Sequence, residues 1–302
     1  MILLHARDRA AESRPYQIWG IADIWRSWGI EVVVQRGIGR FVEADLIVNH
    51  VDLTAVPVPY VRYMEHYPVA INGRCTDISK RLVSRHLVGA GDGWAGPVIV
   101  KTDRNYGGEL ERLVLQGRVA RAWDDLRMRL SRHPWRIRRC LSPHRYAVLG
   151  SVSAVPQDVW HNPHLVVERF LPEREGNLYA LRTVTLFGDR WLSRRTTSAS
   201  PVVKSGNAIR LEEVEPHPDV FAAARRLGLD RGKIDYVLHS GRAVVLDANR
   251  TNTMGRAMTP QRARETFENL APGLRSYWPP RIRGSGGKMG GEGLISLTPA
   301  VG

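Results

Sequence analysis

A chain of 302 residues with 43% hydrophobic content can bury a substantial core and suits one large or two moderate domains. Its formal net charge of +14 favours phosphate-rich or otherwise anionic partners, and no apolar run is long enough to span a bilayer, which argues against a membrane protein. Cys75 and Cys140 are the only cysteines and have no ligand spacing, and the chain turns polar directly after Met1-Ile2-Leu3-Leu4, so the expectation is a cytoplasmic protein without a signal peptide.

Residues 1–92 read as a small α/β unit, closed by the break at Gly89-Ala90-Gly91-Asp92-Gly93. Ile2 to His5, Glu31 to Val34, Ala44 to Asn49 and Val69 to Ile71 are strand-like. Between Tyr16 and Trp28, the residues Trp19, Ile21, Ile24, Trp25 and Trp28 recur at near-helical spacing and read as core. Strands alternating with helices imply a parallel sheet. Pro57 and Pro59 are expected to break the chain, and Asp77 to cap a helix running through Leu87. Lys80 falls in the first turn of that helix, where a cation opposes the helix dipole unless it reaches an anion held near the same end.

Val98 to Lys101 is a buried strand that ends on a lysine and runs into a loop closed by Gly107-Gly108. Glycines let backbone N–H groups approach phosphate oxygens, and a strand-anchored lysine supplies fixed positive charge, although no P-loop Gly-Lys-Ser or Gly-Lys-Thr follows. A basic insert of about 109–147 comes next, with Arg118, Arg121, Arg127, Arg129 and Arg132 around Trp123. Its Leu110, Leu113, Val119, Trp123, Leu126 and Leu130 predict an amphipathic helix with a basic outer face. That helix is either a solvated lid or a docking surface for an acidic substrate, carrier protein or nucleic acid. Leu165 to Glu168 is a further strand, and backbone groups where it ends could read an adenine edge while a carboxylate farther along accepts ribose hydroxyls. Tyr179 to Phe187 and Trp191 to Thr197 pair across Gly188-Asp189. Arg182, Arg194 and Arg195 on this hairpin are candidate catalytic residues, because phosphoryl transfer depends on stabilising charge as it develops. Strand parity lets only one of Arg194 and Arg195 face a cleft.

After a helix from Val220 to Leu227, Ile234 to His239 and Ala243 to Leu246 flank Ser240-Gly241-Arg242 and read as a β-hairpin. A three-residue loop pairs His239 with Ala243, which sets Asp235 opposite Asp247 and puts Asn249 on the same face. Ile234, Tyr236, Leu238, Val244, Leu246 and Ala248 take the other face. Two acids opposed on apolar strands repel and lose hydration unless something positive sits between them, and two carboxylates with an amide oxygen suit Mg²⁺ better than zinc.

The series of Lys80 in an Asp-Ile-Ser-Lys helix start, Lys101 with its glycine loop, Glu168 opening Glu-Arg-Phe-Leu, Glu175 seven positions on, and then Asp235, Asp247 and Asn249 resembles the ATP-grasp superfamily. The likeness is to its carboxylate-amine ligases, such as D-alanine:D-alanine ligases and ribosomal-protein glutamate ligases, and spans roughly residues 70–255. The resemblance implies an α/β and α+β architecture: an ATP-grasp fold over 93–278, its two lobes clasping nucleotide, preceded by a small parallel-sheet α/β domain over 1–92. It further implies that Lys80, Lys101, Gly107 and Gly108 contact ATP phosphates, that Glu168, Arg169, Phe170 and Leu171 meet the adenine, and that Glu175 holds the ribose. Asp235, Asp247 and Asn249 would bind one or two Mg²⁺ ions, with Mn²⁺ as a substitute.

Asp247 stands where the family more often has Glu, and Arg250-Thr251-Asn252-Thr253 replaces a Ser-Pro-Gly-like turn that helps hold the acceptor, so substrate identity does not transfer. The expected chemistry is activation of a small-molecule or peptide carboxylate as an acyl phosphate and capture by an amine, in a protein compatible with a homodimer. A hydroxyl acceptor would make it a kinase, and a vestigial site would leave a nucleic-acid or carrier-binding module. Arg283 to Gly293 lacks periodicity and is expected to begin a flexible tail within 279–302.

Overall fold

A computed structural model describes residues 1–255 and 258–278, so the tail expected at 279–302 lies outside the described residues. Strands β1 (Ile2–Leu4), β2 (Val34–Arg36), β3 (Ile47–Asn49) and β4 (Ala70–Ile71) form an all-parallel sheet in the order β2-β1-β3-β4. Helix α1 (Gln17–Ser27) covers it with Ile18, Ile21, Ala22 and Trp25, all buried, while Trp19 and Trp28 pack at the margin. Each such fully buried isoleucine contributes about 1.5–3 kcal/mol. Two expectations change here. Pro57 and Pro59 do not break the chain but start helix α2 (Val58–Met64), because a proline in the first turn gives up an N–H that has no intrahelical partner. The Asp77 helix is one turn, α3 (Lys80–Val83), with Asp77 Oδ1 accepting from Ser79 N at 2.7 Å.

The second sheet is antiparallel, β6-β5-β7, from β5 (Val98–Thr102), β6 (Ala147–Leu149) and β7 (Leu165–Arg169). His86 and Val88, ahead of the glycine break, already bond to β7, with Arg169 N donating to His86 O at 2.8 Å and Val88 N to Val167 O at 3.0 Å. Between β5 and β6 run α4 (Glu109–Leu115), α5 (Arg118–Leu130) and α6 (Pro134–Ile137), and α7 (Gln157–Trp160) precedes β7. The single helix expected from Leu110 to Leu130 is thus two, α4 and α5, split at Gln116-Gly117. The apolar stripe of α5 also faces outward, with Val119 73% exposed, Trp123 61% and Leu130 74%, so the stripe is not the packed face that an amphipathic helix leads one to expect, while Arg118, Arg127 and Arg129 are exposed as expected.

The third sheet holds β8 (Glu173–Glu175), β9 (Leu178–Phe187), β10 (Arg190–Ser198), β11 (Arg210–Glu213), β12 (Arg231–His239) and β13 (Arg242–Asn249). Its order is β11-β10-β9-β12-β13, with β8 pairing to β9. Helix α8 (Pro218–Leu227) packs Val220, Ala224 and Leu227 against Val184, Leu186, Ile234, Tyr236 and Ala248 on one face. Helix α9 (Pro260–Leu270) then returns to α1, whose cluster it joins through Phe267 and Leu270.

The β12–β13 hairpin reaches its expected register by another route. Ser240 (φ 50°) and Gly241 (φ 73°) form a two-residue turn with both centres left-handed, and His239 pairs with Arg242. A bulge between Asp235 and Tyr236 on the β12 side then leaves Leu246 unpaired, and Asp235 comes opposite Asp247 after all. The bulge shifts the alternation of β13, so Ala243 and Val245, not Val244 and Leu246, join the cluster under α8.

Candidate active site

One row of cross-strand neighbours organises the site. Glu213 of β11 pairs with Arg194, Arg194 with Thr183, Thr183 with Asp235, and Asp235 with Asp247. Directly opposed residues share a face, so all five point away from the α8 side. Thr183 Oγ1 donates to Asp235 Oδ1 at 2.8 Å. Lys233, two residues before Asp235 and therefore on the same face, donates Nζ to Asp235 Oδ2 at 2.8 Å. Its register partner is Asn249.

Lys80 reaches this face from α3. Its Nζ lies 2.6 Å from Asp247 Oδ1, with 3% of its side chain exposed. Burial works against the ammonium, but the adjacent Asp247 charge, with Glu168 farther off, lifts its pKa above the ordinary lysine value. Burial likewise opposes the Asp247 carboxylate, and Lys80, Lys233 and Lys204 together hold its pKa below the usual range. The anion that Lys80 finds is therefore a side chain of β13, not one at its own helix end.

The second sheet faces the same space. Lys101 of β5 and Glu168 of β7 are both buried, and Nζ lies 2.8 Å from Oε2. Tyr146 is close enough to Lys80, Asp247 and Glu168 for their charges to act on it, and burial raises its pKa. Lys204 is similarly placed, with its pKa lowered first by burial and affected by the charges of Asp235, Lys233, Asp247 and Lys101. Lys204, Lys233 and Tyr146 were not anticipated. For Lys233 a signal existed, since strand parity puts it beside Asp235. Lys204 and Tyr146 lie in irregular or short segments with no such clue.

Where β7 ends, the Arg169 amide is taken by His86 O and the Phe170 amide donates to Pro97 O at 2.9 Å. The Leu171 amide has no hydrogen-bond partner among the described residues. The Arg169 guanidinium sits over the Trp94 ring at 5.0 Å. Gly107 and Gly108 are buried, and their reason is packing: Gly107 has φ 69°, and a Cβ there would meet Leu141 O at 2.3 Å. Their carbonyls accept from Leu141 N at 3.0 Å and Cys140 Sγ at 3.3 Å, which ties the loop to the end of the insert.

Two of the three arginines and one acid lie elsewhere. Arg182 pairs in register with Arg195 and with Tyr236, on the face opposite the acids. Arg182 and Arg195 share Glu173 at 2.9 and 2.8 Å, and Arg195 also holds Glu175 at 2.6 Å and Glu212 at 2.7 Å. Glu175 is further bound by Arg210 at 2.6 Å, and its hydrogen bonds to Arg195 and Arg210 hold its pKa below the usual range. The structure thus puts Arg182 and Arg195, expected to be catalytic, on the face away from the acids, and engages Glu175, expected to hold the ribose, with Arg195 and Arg210. Arg194 is the arginine on the acid face.

At its other edge the row meets the first sheet. Asn249 Oδ1 accepts from Thr251 N at 2.8 Å and Thr251 Oγ1 at 3.1 Å. Thr251 Oγ1 also donates to Asp52, which receives the Tyr16 hydroxyl as well. Arg250 is buried and donates to the carbonyls of Leu53 and Thr54, so 250–252 is pinned where the acceptor turn was expected.

No family model matches the sequence, and no curated protein sequence matches it. Among solved structures, the crystal structure of D-cycloserine synthetase DcsG matches with a TM-score of 0.50 at 13% identity, over 91% of this chain and 100% of that one. The chain has the ATP-grasp fold. The ATP-grasp ligase PsnB, complexed with a phosphomimetic variant of its minimal precursor, Mg and ADP, matches with a TM-score of 0.49 at 12% identity, covering 90% of this chain and 98% of that one. D-alanine--D-alanine ligase from Bacillus anthracis matches with 0.47 at 10% identity, covering 93% and 97%.

An ATP-grasp fold implies a divalent cation, and the donor set fits one. Among the described residues no three His, Cys, Asp or Glu side chains gather into a metal cluster, but the acid face offers two carboxylates and an amide, all oxygen donors. Asp247 is 30% exposed, and both its bonds from Lys80 Nζ and Ala248 N fall on Oδ1, leaving Oδ2 without a partner among the described residues.

Proposed function

We propose that the protein is an ATP- and Mg²⁺-dependent ligase that activates a substrate carboxylate as an acyl phosphate and joins it to an amine. One observation carries this reading: three carboxylates and four lysines, drawn from two sheets, α3 and the segment after β10, converge on a single space, with Lys80 on Asp247 at 2.6 Å, Lys101 on Glu168 at 2.8 Å, Lys233 on Asp235 at 2.8 Å and Lys204 among them. Lys101 and Lys80 hold triphosphate oxygens, the Leu171 amide and its neighbours meet the adenine, and Asp235, Asp247 and Asn249 hold the metal. The metal supplies charge neutralisation on the transferring phosphoryl group. A carboxylate oxygen of the substrate bonds to the γ-phosphorus as the bond to ADP breaks. The amine nitrogen then bonds to the acyl carbon, phosphate leaves, and the nitrogen gives up a proton. Lys233 and Arg194, on the acid face, are placed to offset negative charge on the acyl phosphate. The border of Thr251, Asp52 and Tyr16 next to Asn249 is where the substrates are held.

ADP release by purified protein across pools of carboxylates and amines, with and without hydroxylamine, tests this. Turnover that requires a carboxylate and yields a hydroxamate is the expected result. Phosphate ester without hydroxamate, or turnover unchanged in Asp247→Ala, refutes it.

A further inference from the structure

Helix α5 is built inside out. At ~100° per residue, Val119, Trp123, Leu126 and Leu130 fall within an arc of about 60°. All four are exposed, from 44% at Leu126 to 74% at Leu130, and no residue of the helix is buried. The side turned to the body of the protein carries Arg121, Asp124 and Met128 instead. It is held by polar contacts: Arg112 reaches Asp125 at 2.5 Å and Arg121 O at 3.3 Å, and Gln116 reaches Asp124 at 3.2 Å. A helix that folded only to stabilise its own domain would turn that apolar stripe inward. Beside it, Leu113 and Leu115 of α4 are also exposed, and a cleft of about 340 Å³ opens between the two helices, walled by Leu113, Arg112, Arg118 and Arg121 and by the acids Glu109 and Asp125, of which Asp125 is already paired with Arg112.

We propose that this face docks an acidic amphipathic segment of a partner protein, with apolar side chains against the α5 stripe and carboxylates against the arginines. Charge selects the occupant. Arg118, Arg127 and Arg129 flank the stripe and Arg132 follows it, all exposed. A second copy of this chain would set these arginines against each other. A nucleic-acid backbone would match the charge but leave Trp123 and Leu130 wet. An anionic bilayer would not enter the narrow cleft, whereas a side-chain carboxylate can pair with the exposed arginines that flank the stripe with bidentate geometry.

A displayed library of short random peptides, panned on wild-type protein and on a Trp123→Asp/Leu126→Asp variant, tests the assignment. Both positions are exposed and outside the nucleotide site, so retained circular dichroism and ADP release report an intact fold. The expected result is enrichment, on wild type alone, of acidic peptides with apolar residues at helical spacing. A synthesised representative should bind at least about thirtyfold more weakly to the variant and more weakly at high salt. Peptides without that pattern, or equal binding to the variant, overturn the proposal. So does a substitution-sensitive dimer in gel filtration, or substitution-sensitive binding of phosphatidylglycerol vesicles or RNA without peptide binding.

Discussion

Replacing Asp247 with Asn keeps the side chain's shape and removes its charge, so it measures what Lys80 gains from β13. For the 2.6 Å separation, two unit charges at an effective dielectric of ~20 attract by about 6 kcal/mol. Part of this is offset by taking both groups out of water. What the substitution exposes is the buried ammonium left behind, at 3% side-chain exposure, and such orphaned charges cost about 3–5 kcal/mol. Asn retains an acceptor oxygen, so we expect about 3 kcal/mol in urea denaturation at neutral pH. Asp235→Asn is the internal comparison: its partner Lys233 is 34% exposed, and about 1 kcal/mol is expected. Adding Lys80→Met to Asp247→Asn should restore at least half the loss, since neither partner is then charged. The pH dependence has a definite sign. Burial opposes the Lys80 ammonium but Asp247 raises its pKa, so its share is complete below the unfolded lysine value of ~10.4 and fades as pH rises through the folded value. Burial opposes the Asp247 carboxylate but Lys80 lowers its pKa, so its share is complete above ~4 and fades as pH falls through the folded value. A loss under about 1 kcal/mol in Asp247→Asn, or a double variant no more stable than the single, would refute the reasoning.

Lys101→Met should weaken Mg²⁺-ATP binding at least about tenfold in titration calorimetry, and unchanged affinity removes Lys101 from the phosphate site. Arg195→Ala strips partners from Glu173, Glu175 and Glu212 and should cost about 2–3 kcal/mol of stability while kcat of the folded enzyme stays within about threefold. Arg194→Ala should do the reverse, lowering turnover at least about tenfold with stability within ~0.5 kcal/mol, and the opposite pattern would put the wrong arginine on the reacting face. Gly107→Ala should lower stability by about 2 kcal/mol or more, because φ is 69° and the new methyl meets Leu141 O at 2.3 Å; an unshifted midpoint in thermal unfolding contradicts that packing. Mg²⁺ and ATP together should raise the unfolding temperature by more than the sum of their separate effects, and an equal rise with Mg²⁺ alone speaks against a shared site.

The parallel sheet, the α1 core and the acid pair were legible because each rests on periodicity, and periodicity is local. The Asp235–Asp247 pairing was found through a wrong loop length. A three-residue loop and a two-residue loop followed by a bulge at Leu246 end in the same register, so the acids were read correctly and the alternation of β13 beyond them was not. Arg182 and Arg195 were misplaced because strand parity gives which residues share a face but not which face meets the cleft. That is set by α8, a helix far along the chain from Arg182, which packs on the sheet face carrying Val184, Ile234 and Tyr236. Helix α5 is the converse case: its amphipathic pattern and exposed arginines were read correctly, but a stripe that normally finds a core faces solvent here as well.

The cooperativity expected between metal and nucleotide follows from how charge is arranged before either binds. Lys80 lies on Asp247, Lys233 on Asp235 and Lys101 on Glu168, so three of the four ammonium groups already hold a carboxylate, and Lys204 stands among them. On the proposed function, a lone divalent cation entering this space would meet Asp235 and Asp247 with lysines attached, and binding it would leave those lysines without an anion. A lone triphosphate would meet the lysines with their carboxylates attached, and repulsion from Asp235 and Asp247 would oppose it. When both enter, the partners would exchange at two of the pairs: Asp235 and Asp247 would pass from ammonium to metal and Lys80 and Lys233 from carboxylate to phosphate, while Lys101 would keep Glu168 as it reaches phosphate, so no buried charge would be left alone. The exchange depends on the two acids and the lysines occupying one space, which is why the Lys80–Asp247 contact across 167 residues of chain matters more to the proposed reaction than any single motif.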